Sequence, residues 1–312
     1  MKNKTIYIQH NEVRPYNHEC SCALHGAVDL ELDYIPAYYN DLKNGHYDHV
    51  LTSNLFVGTV EFMNEVFRRI GLDSVRLPKN SNRESKIMTL DEARALITPE
   101  KSLFIKPVAI KLFTGFVLDE SHYACLDDVP GNTLVYTYPP FRYDIGSEWR
   151  VYINDREVEL CTNYSGDPLR FINKDSLNYY LDECINYEPP HKFPKTFTID
   201  IAVFDQEHEF DKVIEYNDMW GIGNYGLNND IYVEMLYKRY FEIIEKAPLP
   251  KGNNLIIERM VDNQSILVLD NIDIEDWDKN DIYDLYNSLG GEEKNLQFSI
   301  KNYRGKLIKL NL

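Results

Sequence analysis

A carboxylate interrupts an otherwise apolar run of strand length. Residues 196–204 read TFTIDIAVF, rich in β-branched and aromatic side chains, with Asp200 at the centre. Burying an unpaired charge is costly, so a chain that folds this run into a core must bring Asp200 a partner. A short polar turn, DQEHEFD, leads into KVIEYND, which carries Glu215 and Asn217. If the two segments pair as a hairpin, the two-residue strand period puts Glu215 and Asn217 on one face. Asp200 joins them when the register sets it opposite either one. Two carboxylates and an amide oxygen are hard ligands, suited to Mg²⁺ shared with substrate phosphates. The competing account has all three capping turns or lying on a wet face.

Two further groupings supply cations. In FIKPVAIKLFTG, Lys106 lies in an apolar strand on the same side as Phe104, and Pro107 marks a strand end or edge because it cannot donate to a ladder. Lys111 follows five residues later, just before Thr114 and Gly115, where a loop could lay backbone N–H groups on a phosphate. In SEWRVYI, Glu148 and Arg150 alternate on one strand face with Trp149 on the other. Arg150 can clamp a phosphate or carboxylate through its planar fork, or form a cross-strand ion pair with no ligand.

The remaining segments give an α+β chain. TIYIQ at 5–9 alternates as a strand, 59–70 has apolar residues at helical spacing before Gly71, and Thr89 is placed to cap a helix over 88–97. From 103 onward strands dominate, with helices predicted at 175–186 and 229–246. The expected division is 1–98, 99–247 and 248–312, the last carrying the acidic run Asp270, Asp273, Glu275, Asp276, Asp278, Asp281 and Asp284 beside Lys279. That run reads as a solvated helix or loop, with a divalent-ion or basic-partner site as the alternative. GIGNYG at 221–226 matches a dinucleotide fingerprint. A polar EYNDMW separates it from its strand and no further βαβ unit follows, so its glycines are expected to serve a tight turn.

Lys plus Arg is 33 against 50 Asp plus Glu, a net charge of −17, which would repel a nucleic-acid backbone. No apolar stretch approaches the ~20 residues of a membrane helix. Five cysteines, Cys20, Cys22, Cys125, Cys161 and Cys184, do not form an even secreted set. A cytoplasmic protein with reduced thiols, binding neither nucleic acid nor membrane, is therefore expected. His18, Cys20, Cys22 and His25 crowd together, yet Cys-x-Cys fits zinc spacing poorly and no second pair answers it.

Taken in order, Lys106, Lys111, Glu148 with Arg150, Asp200 and Glu215-x-Asn217 resemble the ATP-grasp fold. FIKPVAIKLFTGFV, SEWRVYI, TIDIAVF and IEYNDMWGIGNYG are similar to its R2K clade, known in part from phages, and FVGTVEFMNEVFRRIGL resembles the clade's N-terminal segment. The resemblance spans roughly residues 50 to 246. It implies two α+β subdomains clasping ATP, behind an N-terminal α/β pre-ATP-grasp domain and before a small C-terminal appendage. Lys106 and Lys111 would hold phosphates, the backbone around Val135, Tyr136 and Thr137 would meet adenine, and Glu148 would lie near the ribose or hinge. Arg150 would neutralise the γ-phosphate or an acyl phosphate, with Lys111 as its catalytic companion, and Asp200, Glu215 and Asn217 would bind Mg²⁺. Arg83 corresponds to a further clade arginine or to an exposed helix-flanking residue. The implied activity is ATP- and Mg²⁺-dependent joining of a small-molecule or peptide carboxylate to an amine. The alternative is a non-catalytic ATP-binding assembly factor that clasps a protein partner.

Overall fold

The computed structural model describes residues 5–72, 75, 77–79, 81–108, 112–121, 126–187, 192–205, 210–245, 254–261, 264–273, 279–289, 296–301 and 307–310. Its first layer is a parallel sheet of β1 (Thr5–Gln9), β2 (Asp33–Ala37) and β3 (Leu55–Val57), in the order β2-β1-β3. Parallel neighbours need crossovers, and α1 (His18–Asp29) links β1 to β2 while α2 (Tyr39–Lys43) lies between β2 and β3. Asn17 starts α1 by accepting from the Cys20 N–H at 2.9 Å. Thr59 caps α3 (Val60–Arg69), which buries Phe62, Met63, Val66 and Phe67, the apolar stripe read from its spacing.

The second sheet is antiparallel and small: β4 (Lys86–Thr89), β5 (Leu103–Pro107), β6 (Phe116–Leu118) and β7 (Leu134–Tyr138), ordered β4-β7-β5-β6. Helix α4 (Leu90–Ala95) leaves β4 through a capping box in which Thr89 and Glu92 satisfy each other's backbone N–H. Because β4 pairs with β7, this sheet begins before the boundary placed at 98, and α4 shares its core of Leu90, Ala93, Ile105, Leu118 and Val135.

The third sheet, ordered β11-β10-β8-β9, contains β8 (Ile145–Asn154), β9 (Glu157–Gly166), β10 (Thr196–Phe204) and β11 (Lys212–Asp218), all antiparallel. Helix α5 (Lys174–Ile185) covers one face, where Val151, Ile153, Ile199, Ile201 and Val213 meet Tyr180 and Cys184. Helix α6 (Asn229–Glu245) joins the other face to the first layer: Thr196 Oγ1 donates to the Met235 carbonyl at 3.1 Å, and the Tyr240 hydroxyl to the Leu51 carbonyl at 2.6 Å. Arg239 pins α6 to β11 through a buried two-point pair with Asp218, 2.7 Å at its longer contact.

A fourth sheet, β13-β12-β14-β15, closes the chain: β12 (Asn254–Val261), β13 (Gln264–Asp273), β14 (Leu296–Lys301) and β15 (Leu307–Lys309), with α7 (Lys279–Ser288). Leu255, Ile257, Ile282, Phe298 and Ile300 form its core. The acidic run is thereby divided: Asp270 and Asp273 belong to β13, Asp281 and Asp284 to exposed turns of α7, and Glu275, Asp276 and Asp278 lie outside the described residues. Among the described residues, no helix is long and apolar enough to cross a membrane.

Helices α1 and α6 approach closely at Gly26 of α1. A Cβ there would stand 2.0 Å from the Asn229 carbonyl oxygen and 2.7 Å from Val233 Cγ2, so a backbone atom of α6 fills the space a side chain would need. Gly26→Ala is expected to destabilise the protein by about 1–3 kcal/mol through forced separation of α1 and α6. Urea unfolding of the two proteins checks this, and an unchanged midpoint would contradict it.

Candidate nucleotide and metal site

The site is assembled on the face of the third sheet away from α5. Strand alternation puts Thr198 and Asp200 of β10 on this face, and the register sets Asp200 between Arg150 of β8 and Glu215 of β11. Thr198 lies between Tyr152 and Asn217 in the same way. Asp200, 2 % exposed, accepts from Arg150 Nε at 2.8 Å and Nη2 at 2.7 Å, and from Asn217 Nδ2 at 3.1 Å. Arg150 is itself 7 % exposed. The sequence left Arg150 open between a ligand clamp and a cross-strand ion pair, and the fold makes the ion pair. Burial pushes the Asp200 carboxyl up, and the guanidinium and the Asn217 amide oppose this shift without reversing it. Burial alone would lower Arg150, but the paired carboxylate outweighs it and holds the group above the usual arginine range.

The second sheet presents its own cation to this face. Lys106, in β5, reaches across so that its Nζ lies 2.9 Å from Glu215 Oε2. Burial would lower the lysine, but Glu215 overrides it and the net shift is upward. Gly115 packs on the same strand: a Cβ there would lie 3.1 Å from both the Ile105 carbonyl oxygen and Lys106 Cβ, so the loop lies close along the lysine's own backbone. Beside it, the Arg83 guanidinium lies 5.1 Å from the Phe104 ring centroid, 4.9 Å from Tyr138 and 4.3 Å from Phe141. Arg83 Nη1 donates to the Pro139 carbonyl at 3.4 Å, while its buried Nε has no hydrogen-bond partner. Burial lowers its pKa. Arg83 is therefore an enclosed cation next to Lys106, not an exposed flanking residue.

Two of the sequence expectations fare differently. Lys111 lies outside the described residues. Val135, Tyr136 and Thr137 are in β7, which β4 flanks on one side and β5 on the other. Neighbouring strands take both of its main-chain edges, so the backbone contact to adenine expected there is not supported. The free connection between the second and third sheets is residues 139–144, immediately after β7.

The loop after β11 closes the far side. Gly221 and Gly226 adopt φ of +61° and +96°, the left-handed conformations for which glycine is suited. This loop follows an antiparallel strand, which is why its GxGxxG pattern is a turn and not a dinucleotide fingerprint. The Tyr152 hydroxyl donates to the Gly223 carbonyl at 2.6 Å and accepts from the Tyr225 N–H at 3.1 Å. Tyr225 then stacks on Tyr164 at 5.5 Å, with the Arg150 guanidinium 4.7 Å from the Tyr225 ring and 5.6 Å from Tyr164. Burial, then nearby Asp200 and Glu148, push the Tyr164 hydroxyl up. Glu148 is half-buried on β8 beside this stack, and Trp149 faces the opposite way, donating to the Arg170 carbonyl at 2.8 Å. Sequence reading missed Tyr138, Tyr152, Tyr164 and Tyr225. In a chain with 23 tyrosines no spacing singled them out, although Tyr152 falls two residues from Arg150 on one strand face.

Asp200, Glu215 and Asn217 offer only oxygen ligands, as a hard divalent ion sharing phosphates requires. Thr198 Oγ1, fully buried on the same face, has no hydrogen-bond partner, so a polar donor remains to be satisfied there. These residues fit a magnesium ion. Among the described residues, this site's two carboxylates included, no group of three or more His, Cys, Asp or Glu side chains is placed to hold a metal. His18, Cys20, Cys22 and His25 lie along α1, where Cys20 and Cys22 are buried and burial pushes the Cys20 thiol up to about 11.

The two carboxylates should differ sharply when neutralised. Asp200→Asn leaves Arg150 buried without its counter-charge and is expected to cost about 3–5 kcal/mol. Glu215→Gln breaks a pair whose side chains are 34 % and 32 % exposed and should cost about 1 kcal/mol or less. Chemical denaturation of both variants checks this, and equal losses would contradict it.

Residues 81–235 match the family model described as the ATP-grasp domain, R2K clade family 2. No curated protein matches the chain in sequence. Among solved structures, D-alanine–D-alanine ligase from Bacillus anthracis complexed with ATP is similar at 10% identity and a TM-score of 0.44, covering 78% of this chain and 98% of that chain. A RimK domain ATP-grasp protein from Sphaerobacter thermophilus is similar at 10% identity and a TM-score of 0.44, over 76% and 99%. The ATP-grasp ligase PsnB, complexed with minimal precursor, Mg and ADP, is similar at 12% identity and a TM-score of 0.42, over 77% and 99%. The matched segment runs from just before Arg83 to the middle of α6 and contains Lys106, Arg150, Asp200, Glu215 and Asn217. Through residues 81–235, this α+β chain belongs to the ATP-grasp proteins of the R2K clade.

Proposed function

We propose that the protein joins a carboxylate to an amine at the expense of ATP, through an acyl phosphate. The observation that carries this reading is the 2.9 Å contact between Lys106 of the second sheet and Glu215 of the third. It brings a phosphate-binding type of cation and an oxygen-ligand cluster to one point between two sheets, within a segment of ATP-grasp sequence.

In the proposed reaction, a substrate carboxylate oxygen attacks the γ-phosphorus as the bond to the β–γ bridging oxygen breaks and ADP leaves. The amine nitrogen then attacks the acyl carbon, gives up a proton, and phosphate departs to leave an amide. Neither step needs a protein nucleophile, since positioning and charge neutralisation supply most of such catalysis. Lys106, with Lys111, holds phosphate oxygens, and Arg83 adds an enclosed positive charge beside them. Arg150 acts first by fixing Asp200, because Nε and Nη2 are already committed to that carboxylate. Asp200, Glu215 and Asn217 would hold a magnesium ion, which would offset negative charge on the phosphates. Adenine is placed against the 139–144 connection. An acidic protein can do this because the cations around the cleft, and not the total of −17, set the local field.

The test is ADP and phosphate release from ATP and Mg²⁺ with pooled carboxylates and amines, together with mass spectrometry for new amides. Glu215→Gln is expected to abolish Mg²⁺-dependent turnover with the fold retained, and unchanged activity would remove its metal role. Lys106→Ala is expected to weaken binding of the ATP–Mg²⁺ complex by about 10-fold or more, as loss of a hydrogen bond to a charged group implies. Equal affinity in a calorimetric titration would dispose of its phosphate role. Nucleotide-dependent capture of one protein without turnover would favour the assembly-factor alternative instead.

A further inference from the structure

Lys106, assigned to phosphate, and Glu215, assigned to metal, are paired with one another, and the second metal carboxylate, Asp200, is paired with Arg150. Lys106 is on Glu215 at 2.9 Å, Arg150 is on Asp200 at 2.7 and 2.8 Å, and the Asn217 amide nitrogen is on Asp200 at 3.1 Å. Each carboxylate therefore already has a cation, and each of these cations has a carboxylate. A divalent ion arriving alone must take Glu215 from Lys106 and leave a half-buried ammonium unpaired near Arg83 and the ion itself. A polyphosphate arriving alone must take Lys106 and leave the Glu215 carboxylate facing its own negative charge. When both arrive, the pair exchanges partners: lysine goes to phosphate, glutamate goes to metal, and no charge is left unanswered. The Arg150–Asp200 pair is too buried and too well bonded to exchange so freely, so the exchange falls on Lys106 and Glu215.

We infer that this site takes a divalent cation and a polyphosphate in concert and discriminates against either one alone, with Lys106 and Glu215 each serving as the other's internal competing ligand. This rests on the nucleotide and metal assignment proposed above and adds how the two bindings are regulated. Linkage makes the effect reciprocal: whatever metal gains from nucleotide, nucleotide gains from metal.

The consequence runs against the usual effect of removing a ligand-binding side chain. Removing an opposite charge at this distance typically moves a neighbour's cation affinity by at least about tenfold. Lys106→Met should therefore bind free Mn²⁺, without nucleotide, about tenfold more tightly than the parent. Glu215→Gln should bind ATP in excess EDTA about tenfold more tightly. Both variants should lose affinity for the joint complex. The experiment is Mn²⁺ titration of the full-length chain followed by electron paramagnetic resonance, and calorimetric titration with ATP in EDTA. Lys106→Gln runs beside the Met variant, and thermal melts overlaid on the parent's establish that each variant is folded. Unchanged or weaker Mn²⁺ binding in the folded lysine variants, or unchanged or weaker ATP binding in Glu215→Gln, overturns the inference while leaving the site assignment standing. A parent that binds no Mn²⁺ even with ATP present overturns the assignment and the coupling together.

Discussion

The buried carboxylate of Asp200 is the constraint around which the third sheet is organised. An ionised side chain at 2 % exposure would be untenable without a partner, and β8 provides Arg150 directly opposite in the register. That requirement fixes which strand neighbours β10, which face of β8 turns inward, and hence where Tyr152 and Glu148 lie. On the other side the same register delivers Glu215 and Asn217. Such a pair is an expensive way to hold two strands together, because apolar residues of similar volume would often be at least as stabilising. Its presence in the middle of a core strand makes sense when the carboxylate has chemistry to do.

The first layer and α6 support this face from behind. Arg239 and Asp218 lock α6 against β11, and Tyr152 ties down the glycine loop that leads into α6. The parallel first layer packs on α6 at Gly26, so the N-terminal segment forms the floor behind the site. The second sheet meets the third through Lys106 on Glu215, and the segment leading into β4 adds the Tyr216 hydroxyl donating to Asn82 at 3.1 Å. A half-exposed ion pair between two separately cored sheets is a contact that can open and reform, unlike the buried pair a few ångströms away.

Much of this was legible in the sequence where periodicity and chemistry agreed. TFTIDIAVF reads as a strand from composition alone, and the two-residue period placed Glu215 with Asn217 before any register was known. Thr89 and Glu92 announced the start of α4, and Gly71 the end of α3. Non-local facts were hidden. Nothing in 86–89 says that this strand pairs with 134–137, because register across a crossover is set by tertiary packing. Likewise, nothing in LVYTY says that β4 and β5 take both main-chain edges of β7. Helix α1 was hidden behind a crowd of histidines and cysteines of ligand type, whereas its pattern of buried Cys20, Ala23 and Ala27 is that of a packed helix. The tyrosines around Arg150 come from three separate segments that meet only once the sheet is folded.

The central claim is that cations of one sheet and oxygen ligands of the other surround a single metal-bound triphosphate. A crystal structure of the protein with Mg²⁺ and a non-hydrolysable ATP analogue tests it most directly. The account predicts a metal about 2.0–2.1 Å from oxygens of Asp200, Glu215 or Asn217, with Lys106 Nζ moved from Glu215 onto a phosphate oxygen. A nucleotide bound elsewhere, or one bound with Lys106 still on Glu215 and no metal on these oxygens, would contradict it.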